Sequence, residues 1–202
     1  MRVLITAGPT REHLDDVRFL SNPSTGAMGF ACARAAAKAG LRVTLVTGPV
    51  GLADPPGVEV VRVTSALEMR AAAMKAYAGA GAVIATAAVS DYRPARRAKG
   101  KIKKGPARIS LSMVRTPDIL EEMGRRKNGR ILIGFALETA DEVANALGKL
   151  RRKRLDHVVL DSPAAFGADR IDATVIHADG SRESFRGIAK KDLAKLLVGL
   201  LE

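Results

Sequence analysis

An apolar run that passes first into an acid and then into a cationic segment, Ala82–Lys104 (AVIATAAVSDYRPARRAKGKIKK), limits the fold of this chain more than any other stretch. Ala82, Val83, Ile84, Ala85, Thr86 and Ala87 show no polar alternation, the pattern of a parallel strand buried on both faces. One carboxylate follows, Asp91. Then come Arg93, Arg96, Arg97, Lys99, Lys101, Lys103 and Lys104 with no acid among them. Ligands of open α/β sheets bind beyond the carboxyl ends of the strands. The strand would fix position, Asp91 can reach a ribose, base or metal, and the basic loop can fold over phosphates, an order that suits a triphosphate. The same run also fits a solvated loop, because charge clusters are usually exposed.

The rest of the chain alternates strand and helix. Arg2–Ala7 is an apolar first strand, and Gly8–Pro23 is a loop long enough to suggest function. An Ala-rich helix runs from about Ser24 to Lys38 and stops at Gly40, a common residue past a helix end. Arg42–Thr47 and Val58–Val63 are β-branched strands, and Ser65 with Glu68 forms a capping box for a helix that ends near Gly79. Ile109, Leu111 and Met113 alternate with serines as a strand with one wet or interfacial face. Thr116 with Pro117 opens a helix to about Lys127, Arg130–Ala136 is a strand, and Thr139 or Asp141 caps a basic helix to about Arg154. His157–Leu160 is a strand, Ala173–His177 and Arg182–Arg186 form a hairpin, and Lys190–Leu201 is a closing amphipathic helix. The expected fold is one α/β domain over residues 1–202: a doubly wound, Rossmann-like, mainly parallel sheet with helices on both faces and a C-terminal hairpin.

Composition narrows the function. No apolar run reaches 18 residues and MRVLITA breaks at Gly8, so neither a membrane span nor a signal peptide is expected. The one cysteine, Cys32, allows no intramolecular disulfide and falls on a buried helix face, in keeping with a cytoplasmic location. A formal charge of +12 favours polyanions, either nucleic acid or phosphorylated small molecules. With 3% aromatics and no Trp, single strands would find few stacking platforms, so nucleic acid is not the expected partner.

Familiar catalytic signatures are missing. There is no G-x-G-x-x-G after the first strand, no P-loop, no H-E-x-x-H and no Cys/His cluster, and His13, His157 and His177 are scattered. The strand ending in Thr47-Gly48 lacks the acid that would bind an NAD ribose, which disfavours a nicotinamide enzyme. Gly26 and Gly29 open a helix whose N–H groups can receive an anion.

Six blocks in order resemble a known family. They are TAGPTRE (residues 6–12), RFLSNPSTGAMG (18–29), AAVSDYR (87–93), KIKK (101–104), TPDIL (116–120) and GFALET (134–139). This chain resembles phosphopantothenoylcysteine synthetase along its whole length, a domain that forms the C-terminal half of bifunctional coenzyme A biosynthesis proteins in many bacteria. The resemblance implies a cytoplasmic, dimeric ligase that joins 4′-phosphopantothenate to L-cysteine through an acyl-nucleotide, with CTP (or ATP) as co-substrate and Mg²⁺. No membrane or nucleic-acid partner is implied.

Site residues follow from the same likeness. Asn22 and Lys101 would be the catalytic pair, Asn22 donating to the acyl oxygen and Lys101 serving the α-phosphate and leaving pyrophosphate. Ala85, Thr86, Ala87 and Asp91 would contact the nucleotide, together with Pro117, Asp118, Ile119, Leu120, Phe135, Lys149 and Lys153. Gly8, Gly26 and Gly29 would serve, with Asn22, the acid substrate or its phosphate. On the residues alone, Asn22 also reads as a turn residue, Phe135 as core, and Lys149 and Lys153 as a basic helix face. Ala27 and Asp161 depart from the family, which usually has a basic residue and Asn there. Asp161 would repel phosphate when ionised, and could instead recruit metal or alter nucleotide choice. The flavin-binding half has no counterpart here, so no FMN is expected and the chain reads as monofunctional or as an excised domain. The alternative function is a basic nucleotide- or nucleic-acid-binding protein without turnover.

Overall fold

The computed structural model describes residues 1–105, 107–137, 142–162, 165 and 167–201. It opens with β1 (Arg2–Ala7), buried from Val3 onward. Val3, Ile5 and Ala7 pack into one core, and Leu4 packs into a second core on the opposite face. A strand covered on both sides has no wet face, hence the unbroken apolar run.

The long loop after β1 holds more structure than its sequence suggests. β2 (Arg11–His13) and β3 (Phe19–Ser21) pair antiparallel as a small hairpin, each too short to show a periodicity. α1 (Ala27–Lys38) begins three residues later than expected, because Gly26 adopts φ +76° as its N-cap. β4 (Arg42–Thr47) and β5 (Val58–Arg62) lead to α2 (Ala66–Tyr77). Half of the expected capping box forms there: Ser65 Oγ accepts from Glu68 N at 3.3 Å, while Glu68 Oε2 reaches back one residue further and accepts from Thr64 N at 2.7 Å. β6 (Ala82–Ala85) ends before the expected Ala87, although Thr86 N still donates to Thr6 O at 3.0 Å.

β7 (Tyr92–Pro94) pairs antiparallel with β8 (Met113–Arg115). The expected strand over Ile109–Met113 does not form, and Ile109 and Leu111 are exposed. Its partner strand is three residues long, so regular pairing begins only at Met113. α3 (Ile119–Arg125) is capped by Asp118 and not Thr116, because Asp118 Oδ1 accepts from Glu121 N at 3.0 Å while the Thr116 hydroxyl donates to Ser90 O. β9 (Ile131–Leu137) and α4 (Glu142–Arg152) follow, and the expected caps Thr139 and Asp141 lie outside the described residues. β10 (His157–Asp161), β11 (Arg170–His177), β12 (Arg182–Ala189) and α5 (Lys190–Gly199) complete the fold. The C-terminal hairpin is therefore longer than expected at both open ends.

The eight main strands run in the order β12-β11-β10-β9-β6-β1-β4-β5. Those from β10 to β5 are parallel, and β11 and β12 are antiparallel. The chain builds outward from β1 to β4 and β5, then returns to lay β6 on the other side of β1. This reversal opens a crevice beyond the carboxyl ends of β1 and β6, where such sheets bind ligands. α1 and α5 cover one face; α2, α3 and α4 cover the other. Cys32 is fully buried in α1 as expected, and burial pushes its thiol up to about 12.

Gly29 sets how closely α1 approaches that crevice. A Cβ there would lie 2.4 Å from Ala7 Cβ and 2.6 Å from Thr86 Oγ1. Gly29→Ala must therefore push the helix off the strand ends, at a cost of about 1–3 kcal/mol. Urea unfolding should show a lowered midpoint with an unchanged m-value; a midpoint equal to wild type would refute the packing role.

Candidate active site

The crevice is shaped by backbone pairing beyond the strand ends. Gly8 sits at φ +70° and its carbonyl accepts from Ala88 N at 3.0 Å. Thr10 N donates to Ala88 O at 3.3 Å, and Ser90 N donates to Thr10 Oγ1 at 3.0 Å. Thr86 Oγ1 donates to Thr6 O at 2.8 Å. These bonds hold residues 86–90 as a wall across the loop that follows β1. Asn22 joins it, donating from Nδ2 to Ala88 O at 3.0 Å.

Two pockets lie on either side of this wall, and Ala87, Val89, Asp91 and Lys149 line both. The larger, of about 360 Å³, is bounded by Asn22, Gly26, Thr86, Phe135, Asp161 and Lys190 among others. The smaller, of about 170 Å³, is bounded by Ala85, Pro117, Asp118, Ile119, Leu120 and Lys153 among others. Most of the residues named from sequence thus converge on one place.

Charge is unevenly distributed around it. At the smaller pocket, Lys153 Nζ lies 2.7 Å from Asp118 Oδ2. Burial pushes the Asp118 carboxyl up, but Lys153 and the Glu121 N–H together hold it below its ordinary value. Lys153 is therefore already partnered by a carboxylate, and Lys149 Nζ donates to Phe135 O. In the larger pocket, burial raises Asp161 to about 6, against the opposing pull of Lys190 and Lys149. Burial lowers Lys190, which Asp161 and Asp169 partly offset, and its Nζ donates to Ala165 O at 2.8 Å.

Three sequence-named residues stand apart. Gly8 and Gly29 line neither pocket and act by shaping the chain behind the wall. Lys101 is exposed in a separate surface hollow with Arg18 and Lys103. The basic segment around it is docked on the turn between β2 and β3. Asp16 accepts from Arg97 at 2.8 Å and from Gly100 N at 2.7 Å, and Asp15 Oδ2 accepts from Ile102 N at 3.0 Å. Arg18 donates to the Ile102 carbonyl. The fully buried Asp15 also accepts from Val17 N and Arg18 N, each at 2.7 Å. The Ile102 N–H holds its carboxyl down to about 2 against burial, helped by these N–H groups and by Arg18.

Reading the sequence missed Lys190, the wall-forming Thr10 and the clamp at Asp15. Thr10 lies inside a recognised block, but its role shows only in its zero exposure and its bond to Ser90. No local pattern marks Lys190, which enters the cleft only because β11 and β12 carry the chain back to the sheet end. His157 and His177 lie elsewhere, at the amino end of β10, with their Nδ1 atoms 2.8 Å apart. Among the described residues no group of three or more His, Cys, Asp or Glu could hold a metal ion, and no helix is long and apolar enough to cross a membrane.

Known proteins resemble this chain in sequence and fold. The family described as DNA/pantothenate metabolism flavoprotein C-terminal domain matches residues 1–202. The chain is 44% identical over 197 residues to the coenzyme A biosynthesis bifunctional protein CoaBC of Bacillus subtilis (strain 168), covering 95% of this chain and 48% of that protein. It thus spans about half the length of that relative. Among solved structures it is similar to the C-terminal domain of a CoaBC protein, with TM-score 0.85 and 37% identity over 98% of this chain and 92% of the other. It shares its fold, at TM-score 0.77 and 16% identity, with a Cab2 variant in complex with phosphopantothenate-cysteine, covering 98% of this chain and 85% of that one.

The environment of Asp161 has a measurable consequence for stability. Its folded value, about 6, lies above the ordinary 3.8, so the folded state binds more protons between these values. Its unfavourable contribution is absent below about 3.8, grows as pH rises, and is complete above about 6. Asp161→Asn should stabilise the chain by about 3 kcal/mol at pH 8 and by little at pH 4. Urea unfolding at the two pH values checks this, and a gain of equal size at both would contradict it.

Proposed function

The chain belongs to the DNA/pantothenate metabolism flavoprotein C-terminal domain family, and from that premise we propose that it is a phosphopantothenate–cysteine ligase acting in coenzyme A biosynthesis. The observation that carries this reading is the pair of pockets sharing one wall, with the Asn22 amide bound to that wall at Ala88 O, 3.0 Å away. Such a site can hold an acid in one pocket and a nucleotide in the other, with the reacting carboxyl at the junction. The likeness to the C-terminal domain of CoaBC and the phosphopantothenate-cysteine bound by Cab2 support the same choice of substrates.

The reaction divides into two steps. The acid's carboxylate attacks the nucleotide α-phosphorus, releasing pyrophosphate and leaving an acyl-nucleotide. The cysteine amine then attacks the acyl carbon and the nucleoside monophosphate departs. One Asn22 N–H is occupied by Ala88 O, and the other can donate to the acyl oxygen, where negative charge gathers in the second step. The family likeness makes CTP the expected nucleotide, with ATP as the alternative. Mg²⁺ usually keeps its waters and binds through one or two carboxylates plus substrate phosphates. Asp91, which borders both pockets, is the carboxylate that fits this pattern, and the ion would screen phosphate charge.

Lys101 enters by movement of the basic segment. Released from Asp15 and Asp16, that segment would fold over the nucleotide and bring Lys101 to the phosphates. We also assign a homodimer to the exposed apolar surface of the two small strand pairs β2–β3 and β7–β8, which includes Val17, Phe19, Leu20, Tyr92 and Val114. The working location is the cytoplasm.

Pyrophosphate release with 4′-phosphopantothenate, L-cysteine and Mg²⁺, run in parallel with CTP and ATP, tests the ligase. Release that requires the acid and prefers CTP is expected; no release with either nucleotide would overturn the reading in favour of a binding protein. Asn22→Asp should let the acyl-nucleotide accumulate while product formation falls about 10²–10³-fold. Lys101→Gln should suppress the intermediate itself, and equal small losses in both variants would sink this division of roles.

A further inference from the structure

We propose that the cavity beneath α2, at the amino ends of β1, β4 and β5, is a second binding site, and that it takes an organic phosphate, a phosphate group on a small apolar body. The cavity measures about 770 Å³, within the range of small-molecule sites. It lies at the opposite end of the sheet from the cleft, and six-residue β1 puts roughly 20 Å between the two. The ligase chemistry makes no use of it.

Alternating strand positions build one wall of the cavity. Leu4, Thr44 and Val61 face α2, and so do Arg2, Arg42 and Glu59, each two residues before one of them. Opposite them α2 presents Ala72, Ala76 and, just past its end, Gly79, which are too short to fill the gap to the sheet. Leu4, Val61, Ala72, Ala76 and Ala80 leave an apolar floor.

The charges single out an anion. Strand register sets Arg2 beside Arg42, with Cα atoms about 4.8 Å apart and side chains on one face. Like charges so placed repel one another. Lys75 adds a third cation from α2, and among the described residues none of the three has a carboxylate partner. Glu59 is the one acid in the lining, and its Oε2 accepts from the Thr44 hydroxyl at 2.9 Å. The carbonyls at the end of α2 are taken by a different cation: Ala78 O and Ala80 O accept from Arg130 at 3.4 and 2.9 Å, and Arg130 lies over the Tyr77 ring.

Two guanidinium forks and an ammonium around one cavity suit a phosphate, which offers them several oxygens at once. A carboxylate has too few oxygens for all three, and a sugar needs no cations. A bare inorganic anion would leave the apolar floor wet. A cavity of this volume roofed by α2 holds a small molecule better than an acidic peptide.

The test is a titration of the full chain, methyl-labelled at Ala, Leu and Val, with phenyl phosphate in about 150 mM NaCl, where loose surface pairing is screened. Saturable shifts are expected at Leu4, Val61, Ala72 and Ala76, independent of any at Ala87 and Val89 in the cleft. Phenyl phosphate should bind about tenfold more tightly than inorganic phosphate, and phenol should not bind. Arg2→Gln and Arg42→Gln should each weaken binding about tenfold, the loss of one charge-assisted pair. Ala76→Leu, which fills the floor, should bring phenyl phosphate down to the affinity of inorganic phosphate and leave the latter unchanged. No saturable shift at these four residues, or unchanged affinity in both arginine variants, would overturn the proposal. So would phenol binding as tightly as phenyl phosphate, the mark of a merely apolar hole, or inorganic phosphate doing so, the mark of a surface anion patch. A hexaglutamate peptide that moves the same signals at lower concentration than phenyl phosphate would make this a protein-docking surface instead, and would also overturn it.

Discussion

The cleft depends on β1 and β6 ending side by side with their continuations still hydrogen-bonded. Thr86 bonds to Thr6, and Ala88 bonds to Gly8 and Thr10, so two loops that would otherwise be separate act as one sheet extension. Buried backbone groups must find partners, and here they find each other across the switch point. The pockets exist because that extension stands up as a partition between them. α1 can reach the partition only through Gly29, where there is no space for a side chain.

The charged groups fall into two arrangements. Asp118 and Lys153 neutralise one another at the smaller pocket, fixing the start of α3 relative to the end of α4. At the larger pocket, Asp161 and Lys190 remain in a cavity that disfavours both charges, because each is pushed by burial toward its neutral form. The first pair joins two elements of the scaffold; the second borders the larger pocket.

Much of this was readable beforehand. β1 and β4 have the residue limits expected from their apolar runs, because a strand buried on both faces leaves an unambiguous mark. The three-residue strands β2, β3, β7 and β8 were not legible, since so short a segment has no period and is fixed only by its partner. The Thr116–Pro117 signal misplaced the cap of α3 by two residues, because Asp118 competes for the same role and Thr116 is drawn to Ser90. At the site, Asn22, Asp91 and residues 117–120 lie around the two adjoining pockets, Asp91 bordering both. Lys190 was out of reach, because its place depends on the course of an entire hairpin.

The clamp at Asp15 bears on how the basic segment can be released. A carboxyl held down to about 2 contributes its full hold above its ordinary 3.8 and loses it only as pH falls through about 2. Cellular acidity never enters that window, so protons cannot spring this latch. In the ligase reading proposed above, release would fall to a ligand whose phosphates compete with Asp15 and Asp16 for the same cations and N–H groups, so that the segment would respond to bound nucleotide and not to acidity.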